Sequence, residues 1–304
     1  MARELTKEER ALRDVGRAAK NHFAKSAKEA ADADVSVTGH LWQIMSFKGG
    51  AGKTFLASVL IAFALAEQRK LRIVQVERTA QLKESYPDIT EVVAPPTTEA
   101  LRADGLAGIN AFEIWGKAIE RAARNGETVI TDVGSGLLTQ SYLEFLGKSR
   151  AGARLTQLQI GTTTFLILPA DPVGLAQAVE LGNALEVVHP GARIVPVINL
   201  HLGRYSVAKA SPVWRESVGP FLEGRTVLTM AALDADIWRL FEDQRRTFHD
   251  VVHADEETVM RWFNTGWTTA ATLHGEISSW LDELWTHIEP IVGSSVPTGS
   301  SNNA

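Results

Sequence analysis

Lys48-Gly49-Gly50-Ala51-Gly52-Lys53-Thr54 separates two apolar stretches of the chain. Before it runs Leu41–Phe47, short and mostly apolar; after it runs Thr54–Gln68, long enough for a buried helix. Strand, glycine-rich turn and helix in that order suit a polyphosphate. Glycines let the backbone N–H groups approach an anion without side-chain collision. The helix that follows presents its positive N-terminal end. In such a loop Lys53 reaches the β- and γ-phosphates, and the Thr54 hydroxyl ligates Mg²⁺.

The general phosphate-loop pattern is G-x-x-x-x-G-K-[ST]. Here Phe47 stands at the first glycine position, and a second lysine, Lys48, precedes the paired glycines. The variant K-G-G-x-G-K-[ST] resembles the deviant Walker A motif of the ParA/MinD family of P-loop ATPases. The resemblance implies ATP and Mg²⁺ as cofactors, with Gly49, Gly50, Ala51, Gly52, Lys53, Thr54 and Phe55 forming the nucleotide cradle. It also implies an ATP-dependent homodimer. Lys48 would be the signature lysine that crosses to the phosphates of the partner's ATP, a cation offsetting charge on the transferred group.

Thr128-Val129-Ile130-Thr131-Asp132 ends an apolar strand on a carboxylate, and Gly134 and Gly136 follow. This is the Walker B position. Asp132 would hold a Mg²⁺-bound water, and Gly134 would let the backbone lie close to the γ-phosphate. The strand Ile73-Val74-Gln75-Val76-Glu77 departs from the family, which carries D-x-D there. Glu77 can orient an attacking water with a longer reach. Gln75 can orient water but cannot act as a base. Asn199 ends Ile194-Val195-Pro196-Val197-Ile198, where the family places an asparagine that reads the adenine edge; an amide has both donor and acceptor for it. Met230–Leu233 would form the other side of the base pocket.

Working outward, short apolar runs alternate with helical patterns: Leu71–Glu77, Phe112–Arg124, Thr128–Val133, Thr164–Leu168, Pro172–Val188, Ile194–Leu200 and Thr226–Met230. This predicts an α/β fold, a mainly parallel sheet covered by helices on both faces. After Asp234 strand signals stop, and Asp234–Phe248 and Glu256–Ile291 read as helices, with Trp262, Trp280 and Trp285 as packing residues. The expected organisation is a helical N-terminal extension and linker over 1–40, a P-loop domain over 41–292 and a disordered tail over 293–304. Residues 1–30 hold eight basic and five acidic residues, a local charge of +3. They read as a solvated helix, or as an arm for a partner or DNA.

Composition narrows the function. The chain of 304 residues has no cysteine, which removes disulfides, thiol nucleophiles and iron–sulfur clusters held by cysteine. The longest apolar run, Phe55–Ala66, is interrupted by Ser58 and is too short to span a membrane. A cytoplasmic protein without integral membrane association is expected. The net charge of −5 demands no nucleic acid. Arg239, Arg245 and Arg246 could share a positive surface for nonspecific DNA, as the family does, although 251–304 carry seven acidic residues and one arginine, Arg261. His249 and His253 have metal-capable spacing with no third ligand evident, and read as surface helix. The resemblance implies a weak, partner-stimulated ATPase that partitions, positions or helps transfer a plasmid or other large cargo. A non-hydrolysing ATP-dependent adaptor and a biosynthetic P-loop ligase are the alternatives.

Overall fold

The computed structural model describes residues 39–96, 102–104, 106–201, 203, 207 and 209–293. The expected N-terminal helix and the tail after Gly293 lie outside the described residues. β1 (Gly39–Met45) leads through the glycine loop into α1 (Lys53–Ala66). Then follow β2 (Leu71–Val76), α2 (Gln81–Ser85), β3 (Thr90–Val93), α3 (Glu113–Asn125), β4 (Thr128–Val133), α4 (Leu137–Lys148), α5 (Ala151–Gln157), β5 (Ile160–Leu168), α6 (Pro172–Val188), β6 (Arg193–Asn199) and β7 (Leu228–Met230). The chain continues through α7 (Ala235–Asp243), α8 (Phe248–His253), α9 (Glu256–Phe263) and α10 (Trp267–Val292).

The strands form one seven-stranded sheet in the order β3-β2-β4-β1-β5-β6-β7. Every neighbouring pair is parallel. β1 sits in the middle, and each parallel crossover delivers a strand's C-terminal end to the same edge. β1, β4 and β5 are buried on both faces, which explains their near-continuous apolar reading. Trp42 and Ile44 face a core shared with α1 and the C-terminal helices. Leu41 and Met45 point the other way, into a core shared with α3, α4, α5 and α6. Helices therefore cover both faces, as the sequence pattern predicts. Among the described residues no helix is long and apolar enough to cross a membrane.

Three boundaries differ from expectation. β3 was not anticipated, because Thr90-Glu91-Val92-Val93 is a short edge strand with only two apolar residues; Glu91 instead pairs with Arg72 at 2.9 Å. The helical stretch after Asp234 breaks at Arg245, which adopts a left-handed φ of 54°. Thr247 then starts α8 through a reciprocal capping box with Asp250. Likewise Asn264, with φ 46°, ends α9 in the left-handed conformation before Gly266 opens α10. Trp280 is buried, with Trp262 and Trp285 packed around the same core.

A polar ladder crosses the core beneath α4. Gln43 pairs in register with Thr131 on β4 and Thr164 on β5. Its Nε2 donates to Thr164 Oγ1 at 2.6 Å, and Tyr142 Oη donates to Gln43 Oε1 at 2.9 Å. Trp115 Nε1 donates to Thr131 Oγ1 at 3.2 Å. Tyr142→Phe strips Gln43 Oε1 of that donor in a site without water access. We expect it to cost about 1–3 kcal/mol, read as a lower denaturation midpoint at unchanged slope; an unchanged midpoint would contradict this account.

His189, the C-cap of α6, is packed against Gly152 so closely that a Cβ there would lie 3.0 Å from its Cα. Burial holds its imidazole down to about 4. Between pH 4 and 6.5 the unfolded chain therefore binds a proton that the folded chain refuses. Stability should fall as pH drops through that window, by up to about 3 kcal/mol. Thermal melts of His189→Gln should show a flatter acid limb than the parent.

Candidate functional site

The phosphate loop lies at the C-terminal edge of the sheet, between the end of β1 and the start of α1. Gly50 and Gly52 have φ of 67° and 88°, a conformation that a side chain would strain. α1 starts with no side-chain cap and no acidic residue in its first turn, so its N–H groups are left for an anion. Phe47, at the missing first glycine, keeps its carbonyl in use: it accepts from Gly136 N at 2.9 Å. Thr139 Oγ1 donates to Gly134 O at 2.6 Å and contacts Ser46 O at 3.1 Å. The segment after β4 is thereby tied to the residues that enter the loop.

Lys53 is almost wholly buried, and among the described residues its ammonium hydrogen-bonds only to Lys48 O, at 3.4 Å. Burial lowers its pKa, against the opposing pull of Asp132 and Glu77. Thr54 Oγ1 donates to Asp132 Oδ2 at 2.8 Å. Burial pushes the Asp132 carboxyl up to about 6, with Thr54 and Lys53 pulling it back. Asp132 Oδ1 is buried with no hydrogen-bond partner among the described residues. A hydroxyl and a carboxylate with a spare oxygen, beside a buried ammonium, fit Mg²⁺ and a polyphosphate: hard oxygen donors and a cation for the negative charge.

Glu77 follows β2 and lines the same cavity as Lys53, Thr54, Asp132 and Gly134. A Cβ on Gly134 would sit 2.6 Å from Glu77 Oε2 and 2.9 Å from Val76 O, so only glycine permits this approach. Gln75 does not reach the cavity in the way its polarity allowed. It is buried, and its Oε1 accepts from Leu82 N at 3.2 Å, holding the first turn of α2. Its Oε1 is thus engaged by α2, and Gln75 is not among the residues lining the cavity.

Asn199 is brought next to the loop, and its amide makes one bond at each end. Nδ2 donates to Ala51 O at 3.0 Å and Oδ1 accepts from His201 N at 3.0 Å. Met230 and Leu233 are buried in the core beside α1. Phe55 stacks on His201, with centroids 4.1 Å apart and planes 11° from parallel. Lys48, half exposed, is engaged within its own chain: Nζ contacts Asp171 Oδ2 at 2.6 Å. Asp171, unremarked in the sequence, caps α6 by accepting from Gly174 N, and the Lys48 bond holds its carboxyl below the ordinary range. An aspartate before Pro172 is a helix-start signal that hides its second role.

The remaining candidates are not gathered here. Asp250 spends its carboxylate on Thr247, with Oδ2 accepting from Thr247 N at 2.7 Å. His249 and His253 lie 4.3 Å apart between ring centroids, and among the described residues no group of three metal-ligating side chains forms. Arg246 lays its guanidinium over Trp262 at 4.5 Å, while Arg239 and Arg245 are exposed.

No family model matches the sequence, and no curated protein matches it. Among solved structures it is similar to the MinD cell division protein of Aquifex aeolicus, at 13% identity and a TM-score of 0.44, covering 85% of this chain and 99% of that one. It is also similar to a nucleotide-binding protein in complex with ADP from Archaeoglobus fulgidus, at 14% identity and a TM-score of 0.41, covering 79% and 95%. A third is the septum site-determining protein MinD complexed with Mg-ADP from Pyrococcus horikoshii, at 15% identity and a TM-score of 0.41, covering 81% and 97%. The parallel strand order and the phosphate loop stand on this chain's own residues.

Proposed function

We propose that the chain is a ParA/MinD-like ATPase that pairs two ATP-bound copies face to face and partitions, positions or helps transfer a plasmid or other large cargo. The observation that carries the reading is the buried Lys53 beside the Thr54–Asp132 hydrogen bond, in a loop that also presents a half-exposed second lysine. Lys53 binds the terminal phosphates, and the loop N–H groups and the α1 N-terminus take up the remaining charge. Thr54 and Asp132 would hold Mg²⁺, which offsets charge across the β- and γ-phosphates when bound. Glu77 orients the attacking water. Lys48 leaves Asp171 and reaches the partner's nucleotide, so that ATP favours the dimer and hydrolysis removes the preference. Nonspecific DNA is the surface the dimer travels on, and a partner protein stimulates turnover.

Gln75 favours a second reading to a degree. With Gln75 Oε1 accepting from Leu82 N, the carboxylate of Glu77 is the group at the end of β2 that can orient water, and an ATP-dependent adaptor with negligible hydrolysis follows if Glu77 is out of reach. One experiment separates the two. Phosphate release is measured with and without nonspecific DNA, alongside dimer formation in ATP and Mg²⁺. ATP-dependent dimers with DNA-responsive release support the ATPase. Dimers without release support the adaptor, and ATP binding without dimers overturns both.

A further inference from the structure

Glu77 does not stand alone after β2. The cavity over the phosphate loop, about 360 Å³, is also lined by Gln81, the first residue of α2. The packing of α2 explains why that side chain is free. Leu82 and Tyr86, four residues apart, turn one face of the helix into the core. Gln81 precedes Leu82 and stays exposed. It does not cap the helix, since Ala80 holds the N-cap position with no side-chain cap bond. The Leu82 N–H is satisfied from β2 instead, by Gln75 Oε1. Among the described residues the Gln81 amide makes no hydrogen bond.

The segment that carries Glu77 and Gln81 is tied down along its length. At its entry Val76 O accepts from Gly134 N at 2.8 Å. Within it Glu77 Oε1 accepts from Arg78 N at 2.8 Å. At its exit Leu82 N donates to Gln75 Oε1 at 3.2 Å. A carboxylate and an amide are thus presented to a cavity also lined by Lys53, Thr54 and Asp132. Their chemistry is complementary. The carboxylate only accepts hydrogen bonds, whereas the amide accepts at one atom and donates at the other. The amide also adds no negative charge beside Glu77 and Asp132, where a further anion would repel phosphate.

We propose that Gln81 is a catalytic residue of nucleoside triphosphate hydrolysis, with Oε1 accepting from the attacking water and Nε2 donating to an oxygen of the γ-phosphoryl group. The inference rests on the proposed ATPase reading. The water oxygen bonds to the γ-phosphorus while the bond to the β,γ-bridging oxygen breaks. That oxygen leaves with the electron pair, on the nucleoside diphosphate. One water proton passes to Glu77 and then to solvent; the other stays on the phosphate. Gln81 exchanges no proton. It fixes the water's position through hydrogen bonds, a role open to an amide in phosphoryl transfer.

The test uses the full chain and Gln81→Met, which keeps the side chain's length and removes both polar ends at an exposed position. Phosphate release from ATP is measured with Mg²⁺, with and without nonspecific DNA. Binding of ADP is measured beside it, alone and with aluminium fluoride, a mimic of the phosphoryl group in transfer. Gln81→Met should lower kcat by about 100-fold and leave KM within about two-fold of the parent's. ADP should bind as in the parent, while the affinity gained on adding aluminium fluoride should shrink by a similar factor. Glu84→Gln, on the same helix and outside the cavity, should match the parent throughout. If Gln81→Met keeps the parent's kcat or the parent's gain from aluminium fluoride, the inference is overturned while the ATPase reading stands. If kcat and ADP binding fall together, Gln81 is structural and the inference is equally overturned. If the parent itself binds ATP but releases no phosphate under either condition, the ATPase reading falls and takes this role with it.

Discussion

Lys53→Ala is expected to abolish nucleotide binding, by at least about 100-fold in dissociation constant, while leaving the protein folded. The expectation joins two observations. The Lys53 ammonium is buried next to Asp132 and Glu77, so it is the cation nearest the site of phosphate charge. Among the described residues its one hydrogen bond, to Lys48 O, is long at 3.4 Å. Burying this charge costs desolvation energy that Asp132 and Glu77 offset in part and a bound anion offsets further. Truncating it should therefore leave thermal stability unchanged or higher. Calorimetry with ATP and Mg²⁺, paired with a melting curve of the free protein, checks both halves. Retained binding would remove Lys53 from the phosphate site, whereas an unfolded variant would show that the lysine is structural.

The loop was legible because its residue types are dictated by backbone geometry. Gly50 and Gly52 stand where φ is positive, and Lys53 and Thr54 follow at the only spacing that puts both at the head of α1. The sheet was legible for a similar reason, since strands buried on both faces leave unbroken apolar runs. Less could be read where a side chain has two possible employers. Gln75 and Asn199 each end up bonded to neighbouring backbone, an outcome set by how α2 and the loop pack rather than by residue type. The partnership of Lys48 with Asp171 spans 123 positions and depends on β1 and β5 being adjacent.

Lys48→Ala should spare ATP binding and reduce turnover by about 10³-fold, the scale on which a cation supplied from a second subunit acts in phosphoryl transfer. Lys48 lies at the loop's outer side, half exposed, and its charge is already balanced by Asp171. Binding in one subunit therefore does not need it. The exposed ion pair itself contributes little to stability, so its exchange for a partner's phosphate is not opposed by a large cost. Asp171→Asn supplies the complementary measurement. It keeps the α6 cap oxygen that Gly174 uses but weakens the hold on Lys48, and dimer formation in ATP should occur at lower protein concentration. Sedimentation and phosphate release on the two variants decide the matter. Normal dimers and normal turnover in Lys48→Ala would strip the second lysine of any role across subunits.

The arginines that begin or precede strands on the sheet's other rim fix where the described chain ends. Arg69 donates to Gly293 O, and Arg193 Nη1 donates to Ile291 O at 2.7 Å, so the last turn of α10 is moored where β2 and β6 start. Gly39, the first described residue, opens β1 on that same rim. The two ends of the described main body, Gly39 and Gly293, therefore sit on the side remote from the glycine loop.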